Sequence, residues 1–437
     1  MPVGHVIVLG FTQLGAVEQC VRRVKACGLT PFLVLDPLGA DYSHLLPAEL
    51  ILRSANVNVD LDALVRDVQG GLRALSPSAP NAVRAIINFQ DRMWLCYIRL
   101  CEAFPQARGL SPEAVNRTAV KPNLRFLATD PLLTVPYSLV PCRPDAGDVL
   151  PYLAAQGPLG DAREVVVKPM MGMASEAVSR VSLLDRDVEE KLQAAVQRVR
   201  SYVVAAYGDG VLCRLLEHSD PVPVNSLALI EEFLPGPREF SFEGMSDHRG
   251  DPMLVVDQEK TRTLTEPVFR DLEYLAGVPA RKDGMRFLCV KKLLELSGHA
   301  GWPFHVELKE DANGTPRPVE FNPRVGGGSI PDLIQAIHGI NVIDYAITTL
   351  LADSAERYFA TTVVQPTKAG RLVEYSGLKD VASQPDCIFL KKIVEEGTSI
   401  RLDRETYLVE YCIVGHSAAG AESRAKSLQS MIEVRID

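Results

Sequence analysis

Residues 304–324 read Phe-His-Val-Glu-Leu-Lys-Glu-Asp-Ala-Asn-Gly-Thr-Pro-Arg-Pro-Val-Glu-Phe-Asn-Pro-Arg, and this pattern predicts a β-hairpin that turns at Asn313-Gly314. An Asn-Gly pair readily supplies the two positive-φ positions of a type I′ turn. A register symmetric about that turn places residue 307 opposite 320 and residue 305 opposite 322. Because side chains alternate between the faces of a strand, one face carries His305, Glu307, Glu320 and Asn322, and the other carries Val306, Leu308, Val319 and Phe321.

The polar face of this hairpin presents two carboxylates to each other. Like charges directly opposite one another destabilise a sheet. A hard divalent cation, which prefers oxygen ligands, removes that penalty. The sequence therefore predicts a magnesium site at Glu307 and Glu320, a kind of site that usually serves phosphate chemistry.

The composition of the chain argues against several classes of protein. A chain of 437 residues is too long for a single ordinary hydrophobic core, so two to four domains are expected. A net charge of −9 argues against bulk binding of nucleic acid or of an anionic membrane. We find no long apolar run and no basic leader, so we expect a cytoplasmic protein. The nine cysteines are scattered without zinc-site spacing, which favours reduced thiols.

The order of strands and helices predicts an α+β protein. Strands alternate with helices in the first 110 residues, which indicates an open, mostly parallel α/β sheet. Ser111 as N-cap and Pro112 at the first helical position predict a helix just beyond a boundary near 108–112. Later segments mix strands and helices, with one helix expected over 330–351. The expected domains are 1–110, 111–225, 226–360 and a lid-like 361–437.

Two segments carry groups that suit a nucleotide. In residues 165–175 a β-branched strand delivers Lys168 to a small-residue loop, an arrangement that suits a polyphosphate. Taken alone, this fragment is more typical of an edge-strand lysine before a surface loop. In residues 230–243 a strand, a Pro/Gly break and a second strand suit an adenine-reading hinge followed by a ribose-binding carboxylate. A charged surface hairpin is an equal alternative there.

Other positions are weaker signals. Arg324 and three glycines precede a predicted helix, and an arginine with glycine-rich backbone at a helix N-terminus forms an anion site. Lys121 alone is typical of a solvated lysine. For His305, a structural histidine with satisfied hydrogen bonds is favoured over a base or a partner of a metal ligand. Residues 10–15 lack the middle glycine of a dinucleotide fingerprint, so we interpret them as strand–helix packing.

Taken together in this order and spacing, the motifs resemble the ATP-grasp superfamily over nearly the whole chain. The resemblance is carried by Lys121, Lys168, Glu231-Glu-Phe-Leu234, Glu239, Glu307 and Glu320-x-Asn322-x-Arg324. Within the superfamily, residues 304–309 followed by 319–328 are most similar to carnosine synthases and bacterial L-amino-acid ligases of the bacilysin type. The resemblance implies an ATP-grasp fold with an N-terminal parallel α/β domain, two α+β subdomains and a C-terminal lid.

The resemblance also implies a role for each matching residue. ATP would be bound by Lys121, Lys168, Glu231, Glu232, Leu234 and Glu239, with the lysines on the phosphates, the hinge on adenine and Glu239 on the ribose. Two Mg²⁺ ions, for which Mn²⁺ can substitute, would be held by Glu307, Glu320 and Asn322. Arg324 and Lys260 would act on the transferring phosphoryl group. The substrate would be bound by Gly326, Gly327, Gly328 and His305.

The activity implied by the resemblance is that of an ADP-forming carboxylate–amine ligase. An acyl-phosphate would be attacked by an amine, with an amino acid as the expected acceptor. The expected partners are small molecules, without nucleic acid or membrane, and a homodimer is expected from the resemblance alone. Two alternatives stay open: a carrier-protein thiol or a carboxylation substrate as the acceptor, or a non-catalytic nucleotide-binding module.

Overall fold

A computed structural model describes residues 4–10, 14–37, 41–142, 149–156, 159, 162–173, 175–264, 270–276, 284–328, 330–351, 358–384, 386–402, 406–415 and 418–437. Ser329 and the 11–13 part of the Gly10–Gly15 segment lie outside these residues. The chain divides into two compact units, one formed by 1–18 with 31–326 and the other by 19–30 with 327–437. In the described part of the chain, no helix is both long and apolar enough to cross a membrane.

The first sheet has the open parallel arrangement expected from the sequence. Its strands are β1 (His5–Gly10), β2 (Thr30–Leu35), β3 (Ile51–Arg53) and β4 (Val83–Asn88), and the helices of this region are α1 (Leu14–Ala26), α2 (Leu61–Leu75) and α3 (Trp94–Ala103). The strand order is β3-β2-β1-β4, with parallel pairing of β1 to β4 and of β2 to β3. All six positions of β1 are buried, as expected for a strand of a covered parallel sheet.

A second, antiparallel sheet follows two short helices. These helices are α4 (Pro112–Ala119) and α5 (Lys121–Leu127), and the elements after them are β5 (Tyr137–Pro141), α6 (Val149–Gln156), β6 (Glu164–Pro169), β7 (Ser179–Ser182), α7 (Val188–Tyr207), β8 (Leu212–Cys213), β9 (Val222–Pro223) and β10 (Leu227–Glu232). The sheet order is β5-β10-β6-β7. The predicted start of α4 is confirmed, because the Ser111 hydroxyl accepts a hydrogen bond from the Ala114 N–H and Pro112 is the first helical residue.

The third sheet carries most of the candidate site. Its elements are β11 (Glu239–Ser246), β12 (Pro252–Leu264), β13 (Arg270–Ala276), α8 (Met285–Ser297), β14 (Pro303–Glu310) and β15 (Pro316–Asn322), and the strand order is β13-β12-β11-β14-β15. One face is apolar: Phe240, Phe242, Phe304, Val306 and Phe321 form a buried cluster with Val290 and Leu293 of α8. The other face of the sheet is therefore left for polar side chains.

The second unit contains two small sheets with their own core. Its elements are α9 (Ile330–His338), α10 (Val342–Leu351), β16 (Tyr358–Val364), β17 (Gly370–Ser376), α11 (Leu378–Ala382), β18 (Cys387–Lys392), β19 (Ser399–Ile400), β20 (Val409–Gly415), α12 (Ala418–Gln429) and β21 (Glu433–Ile436). The sheet orders are β16-β20-β18 and β19-β17-β21. Leu372, Tyr411, Ile413 and Leu428 are members of the buried cluster of this unit.

The single helix expected over 330–351 is wrong, because the chain forms two helices there. Gly339 has a φ of 72°, a left-handed conformation that favours glycine and ends α9. The Asn341 side chain then accepts hydrogen bonds from the N–H groups of Ile343 and Asp344, both at 3.1 Å, and so caps α10. The α+β class with a parallel N-terminal sheet is otherwise as expected, and the domain boundaries near 110, 225 and 360 stay a prediction.

Candidate active site

The hairpin brings the two predicted metal carboxylates together. Glu307 of β14 lies opposite Glu320 of β15, and His305 lies opposite Asn322. The predicted type I′ turn is wrong: Gly314 has a φ of 75°, and its N–H bonds to the Asp311 carbonyl within a three-residue loop that Asp311 and Thr315 close. The predicted register survives at the site because Val319 is an extra, bulged residue that offsets the longer loop. Val319 is accordingly not a member of the buried cluster on the apolar face.

The polar face of the third sheet carries three rows of polar and charged side chains. One row of laterally paired residues runs Lys260, Glu239, Lys309 across β12, β11 and β14. The next row runs Gln258, Ser241, Glu307, Glu320 from β12 to β15, and a third contains Glu243, His305 and Asn322. Strand pairing thus places oxygen, ammonium and imidazole groups from four strands on one surface.

Glu307 lies between a lysine and a histidine. Its Oε1 is 3.0 Å from Lys260 Nζ and 3.2 Å from His305 Nε2. Burial alone would raise the pKa of Glu307, but Lys260 and His305 hold it well below its usual value. Burial alone would lower the pKa of His305, but the carboxylates of Glu243 and Glu307 raise it to about 10. Glu307 is therefore an ionised, acceptor-only carboxylate.

Glu320 is paired with the ammonium group of Lys121. Its Oε2 is 3.2 Å from Lys121 Nζ, and its Oε1 accepts a hydrogen bond from the Asn322 amide at 2.7 Å. Burial and Glu307 raise the pKa of Glu320, but Lys121 and Asn322 lower it more, so the net shift is downward.

A metal ion fits this set of donors. The ligand atoms of His305, Glu307 and Glu320 lie within 4.8 Å of one another, and among the described residues this is the only such group of His, Cys, Asp and Glu side chains. Ionised carboxylate oxygens are the ligands that Mg²⁺ and Mn²⁺ accept. The predicted ligands Glu307 and Glu320 are thus adjacent and in a suitable charge state, and Asn322 lies beside them.

Lys168 and Glu231 belong to a buried ion network. The Lys168 ammonium contacts one Glu231 oxygen, and Arg125 Nε donates to the other at 2.5 Å. Arg125 Nη2 and Lys168 Nζ also donate to the carbonyl of the bulged Val319, at 2.9 and 3.4 Å. Burial lowers the pKa of Lys168 against the opposing effect of Glu231. Because both Glu231 oxygens are engaged, contact with adenine would fall to the backbone of the hinge.

The hinge and the proposed ribose carboxylate lie on β10 and at the start of β11, which are consecutive in the chain but belong to different sheets. The Glu232 N–H donates to the Pro136 carbonyl at 2.9 Å, and Leu234 is nearly buried. Glu239 begins β11, where its Oε1 lies 2.7 Å from Lys260 Nζ and its Oε2 lies 3.3 Å from Lys309 Nζ. Lys260 therefore links Glu239 to Glu307.

Arg324 is fixed by an aspartate that the sequence did not reveal. Its Nε and Nη2 donate to the two Asp91 oxygens at 2.6 and 2.5 Å, and its Nη1 donates to the Val325 carbonyl at 2.7 Å. Asp91 follows β4 in a short 3-10 helix, Asp91–Met93. Such a bidentate pair sets the plane of the guanidinium as well as its position.

Glycines occur in two loops near the candidate site, one after Arg324 and one after β6. Gly326 ends the first unit, and Gly328, with a φ of 61°, belongs to the second. In the loop after β6, Lys121 Nζ donates to the Gly172 carbonyl at 3.1 Å. The same loop is held by an ion pair between Arg92 and Glu176 at 2.9 Å. Lys121 thus joins this loop to the carboxylate of Glu320.

Sequence reasoning missed three residues of the site. Asp91, Arg125 and Glu243 contact predicted site residues that lie 233, 106 and 62 positions away, respectively. Weak local signals existed: Asp91 follows the carboxyl end of a parallel strand, where ligand sites commonly lie. Arg125 lies four residues after Lys121 on one helix, and Glu243 shares the face of Glu239 by alternation.

Comparisons with known proteins concern the fold of the chain. Residues 162–332 match a family model described as an ATP-grasp domain. The structure is similar to an L-amino acid ligase from Bacillus licheniformis, at 18% identity and a TM-score of 0.56 over 99% of both chains. It is also similar to a biotin carboxylase from Campylobacter jejuni, at 15% identity and a TM-score of 0.52 over 99% of this chain and 92% of that one.

A third similar structure is a biotin carboxylase domain from Hydrogenobacter thermophilus in complex with MgADP, at 14% identity and a TM-score of 0.52 over 99% of this chain and 90% of that one. No match was found among curated proteins. These likenesses establish the fold of the chain.

Proposed function

We propose, because residues 162–332 match the model of an ATP-grasp domain, that this chain is an ATP-dependent ligase that joins a carboxylic acid to an amine and releases ADP and phosphate. The observation that supports this most directly is the facing pair Glu307 and Glu320, each beside a lysine ammonium. A carboxylate pair flanked by cations suits a nucleoside triphosphate, whose phosphates and metal ions carry charges of both signs. The L-amino acid ligase likeness favours an amino acid as the amine.

The proposed reaction has two steps. A carboxylate oxygen of the acid attacks the γ-phosphorus of ATP, the bond to the β-phosphate oxygen breaks, and ADP leaves. The amine nitrogen then attacks the carbonyl carbon of the acyl-phosphate, phosphate leaves, and the nitrogen loses a proton. Phosphorylation is needed because oxide is too poor a leaving group for direct attack on a carboxylate.

The residues of the site supply charge and position for these steps. Glu307, Glu320 and Asn322 would hold magnesium, which would supply positive charge to neutralise the charge that develops on the phosphates. Lys121, Lys168 and Lys260 would exchange their present carboxylate partners for phosphate oxygens. Arg324, whose side chain Asp91 holds, would stabilise the transferring phosphoryl group. None of these roles requires a nucleophilic side chain.

The remaining proposed contacts concern ATP and the substrate. The hinge backbone from Glu231 to Leu234 would read adenine, and Glu239 would bind the ribose. Gly326, Gly327 and Gly328 would approach the substrate carboxylate. A loop such as that near residues 170–175 would exclude water, since an acyl-phosphate otherwise hydrolyses.

The proposal is tested with a matrix of amino-acid pairs incubated with ATP and magnesium. We expect ADP and phosphate in equal amounts, together with a product whose mass is that of the two amino acids less one water. Formation of AMP and pyrophosphate would contradict an acyl-phosphate. ADP release that depends on bicarbonate or on a carrier thiol, and not on an amine, would contradict the proposed acceptor.

A matched pair of variants tests the carboxylate platform, by which we mean the facing pair Glu307 and Glu320. Glu320→Gln keeps the shape of the side chain but removes the charge, so turnover should fall by at least about 100-fold. Glu259→Gln is the control, because Glu259 lies on the same sheet but pairs with Arg238, whose side chain is about half exposed. Near-normal ADP release by Glu320→Gln, in a protein that melts like the wild type, would show that the platform is misread.

A further inference from the structure

His305 lies between two carboxylates on the polar face of the third sheet. Its Nδ1 is 2.5 Å from Glu243 Oε1, and its Nε2 is 3.2 Å from Glu307 Oε1. Glu243 is completely buried, and its Oε1 also accepts a hydrogen bond from the Ser241 hydroxyl at 3.0 Å. A buried carboxylate is costly unless it is paired. The histidine therefore has a buried carboxyl group on one side and the carboxylates predicted to hold the metal on the other.

The contact with Glu243 determines which histidine nitrogen faces the site. Because Glu243 is an acceptor, Nδ1 carries a proton and donates it to this hydrogen bond. Nε2 faces Glu307, to which it can donate while it carries a proton, and its lone pair becomes available to a cation once that proton leaves. A carboxylate that binds the far nitrogen of a histidine is the usual support of a metal-ligating imidazole.

The spacing of the donor atoms fits coordination. Ligands at about 2.1 Å from an ion and at right angles to each other are about 3 Å apart. The distance of 3.2 Å from His305 Nε2 to Glu307 Oε1 is close to that value. A third ligand atom, from Glu320, lies within 4.8 Å of both. Small side-chain movements would place the three atoms around one ion.

We propose that His305 is a direct metal ligand, through Nε2, at the ion that Glu307 and Glu320 hold, and that Glu243 is its positioning residue. This inference rests on the proposed function, which predicts that a metal–nucleotide complex binds at this site. Metal binding displaces any proton on Nε2 into solvent. One imidazole among oxygen ligands shifts the preference of the site from Mg²⁺ towards Mn²⁺, because nitrogen ligands suit transition metals better.

Pulsed electron paramagnetic resonance of Mn²⁺ with ADP on the full chain tests this directly. A coordinated imidazole gives a nitrogen hyperfine coupling in addition to the phosphorus couplings of ADP. We expect this coupling in the wild-type protein. Growth with [¹⁵N]histidine should convert the coupling from the ¹⁴N to the ¹⁵N pattern, a result that does not depend on any variant folding.

Variants then assign the coupling to one histidine among the eight. His305→Gln should abolish the coupling and raise the Kd for Mn²⁺ at least about 10-fold, and Glu243→Gln should raise it about 10- to 100-fold. His248→Gln is the control, since His248 is exposed on a turn and should leave both quantities unchanged.

The outcomes separate this inference from the proposed function. Bound Mn²⁺ with phosphorus couplings but without a histidine coupling would overturn the inference and leave the ligase proposal standing. A histidine coupling that survives His305→Gln would overturn it as well. If the nucleotide complex binds no Mn²⁺, the inference fails together with the proposed metal site at Glu307 and Glu320. A Kd for Mg²⁺ no higher than that for Mn²⁺ would contradict the stated preference.

Discussion

Arg324 depends on Asp91 for its position. A guanidinium has five N–H donors, and in this structure two of them bond to Asp91 and a third bonds to the Val325 carbonyl. The two that remain are available for an anion. Both side chains are mostly buried, so their pairing is weakly screened by solvent. The charge of Asp91 therefore orients the cation proposed to meet the transferring phosphoryl group.

Asp91→Asn should lower kcat by about 10- to 100-fold and leave the KM for ATP nearly unchanged. The physical reason is that an amide retains one acceptor and cannot hold the guanidinium in a bidentate, charge-assisted pair. Steady-state kinetics of ADP release measure this split. Asp62→Asn is the control, because Asp62 pairs with Arg99 on the surface. An unchanged kcat, or a KM that rises in parallel with a loss of folded protein, would contradict a positioning role.

The network of Lys168, Arg125 and Glu231 contributes to stability as well as to the site. Burial alone would raise the pKa of Glu231, but Arg125 and Lys168 lower it below its usual value. A carboxylate with a lowered folded pKa stabilises the protein above its unfolded pKa, and this contribution is lost as the pH falls through the folded value. Removing the charge would leave two buried cations without their shared partner.

Glu231→Gln should destabilise the protein by about 3–5 kcal/mol at neutral pH, as expected when one member of a buried ion network is lost. The difference from the wild type should shrink as the pH falls below the ordinary carboxylate pKa of about 4.3, and it should vanish only after the pH has passed the lower folded pKa of Glu231. Denaturant unfolding at several pH values measures both effects. Glu232→Gln, at a half-buried neighbouring position, serves as control. Equal unfolding free energies at neutral pH would contradict the account.

The predicted turn of the hairpin is wrong, but the predicted pairing of Glu307 with Glu320 is correct. The sequence pattern of 304–324 predicts the correct pairing at Glu307, but the turn chemistry predicts a shorter loop than the one that forms. Pro318 has no N–H and Val319 is bulged, features that β15 tolerates because it is an edge strand. The bulge aims the Val319 carbonyl at Arg125 and Lys168. This tertiary contact has no signature within the hairpin sequence.

Two glycine substitutions should have opposite effects on stability. Gly314 has a positive φ and open space where a Cβ atom would lie, so Gly314→Ala costs only backbone strain, about 1 kcal/mol. Gly70 lies inside α2, also with open space, and Gly70→Ala should stabilise by about 0.5–1 kcal/mol. Thermal or denaturant unfolding measures both. A stabilising Gly314→Ala would contradict the turn conformation described here.

Across the whole molecule, the predictable part of the site is the part that lies in continuous motifs. The hairpin pairs Glu307 with Glu320 as its sequence pattern predicts, and the strand that carries Lys168 forms as expected. Asp91, Arg125 and Glu243 meet their partners only through the packing of sheets and helices distant in sequence. The break at Gly339 is not evident from the sequence because a single glycine is tolerated inside many helical patterns.

The transfer of oxygen from the acid to phosphate tests the central claim most directly. In the proposed reaction one carboxylate oxygen of the acid becomes the bridging oxygen of the acyl-phosphate and leaves with phosphorus. An amino acid labelled with ¹⁸O in both carboxylate positions should therefore give inorganic phosphate with one ¹⁸O, seen as an isotope shift in the phosphorus spectrum, and an amide with the other. Label that appears in AMP, or phosphate that contains no ¹⁸O while amide forms, would contradict activation through an acyl-phosphate.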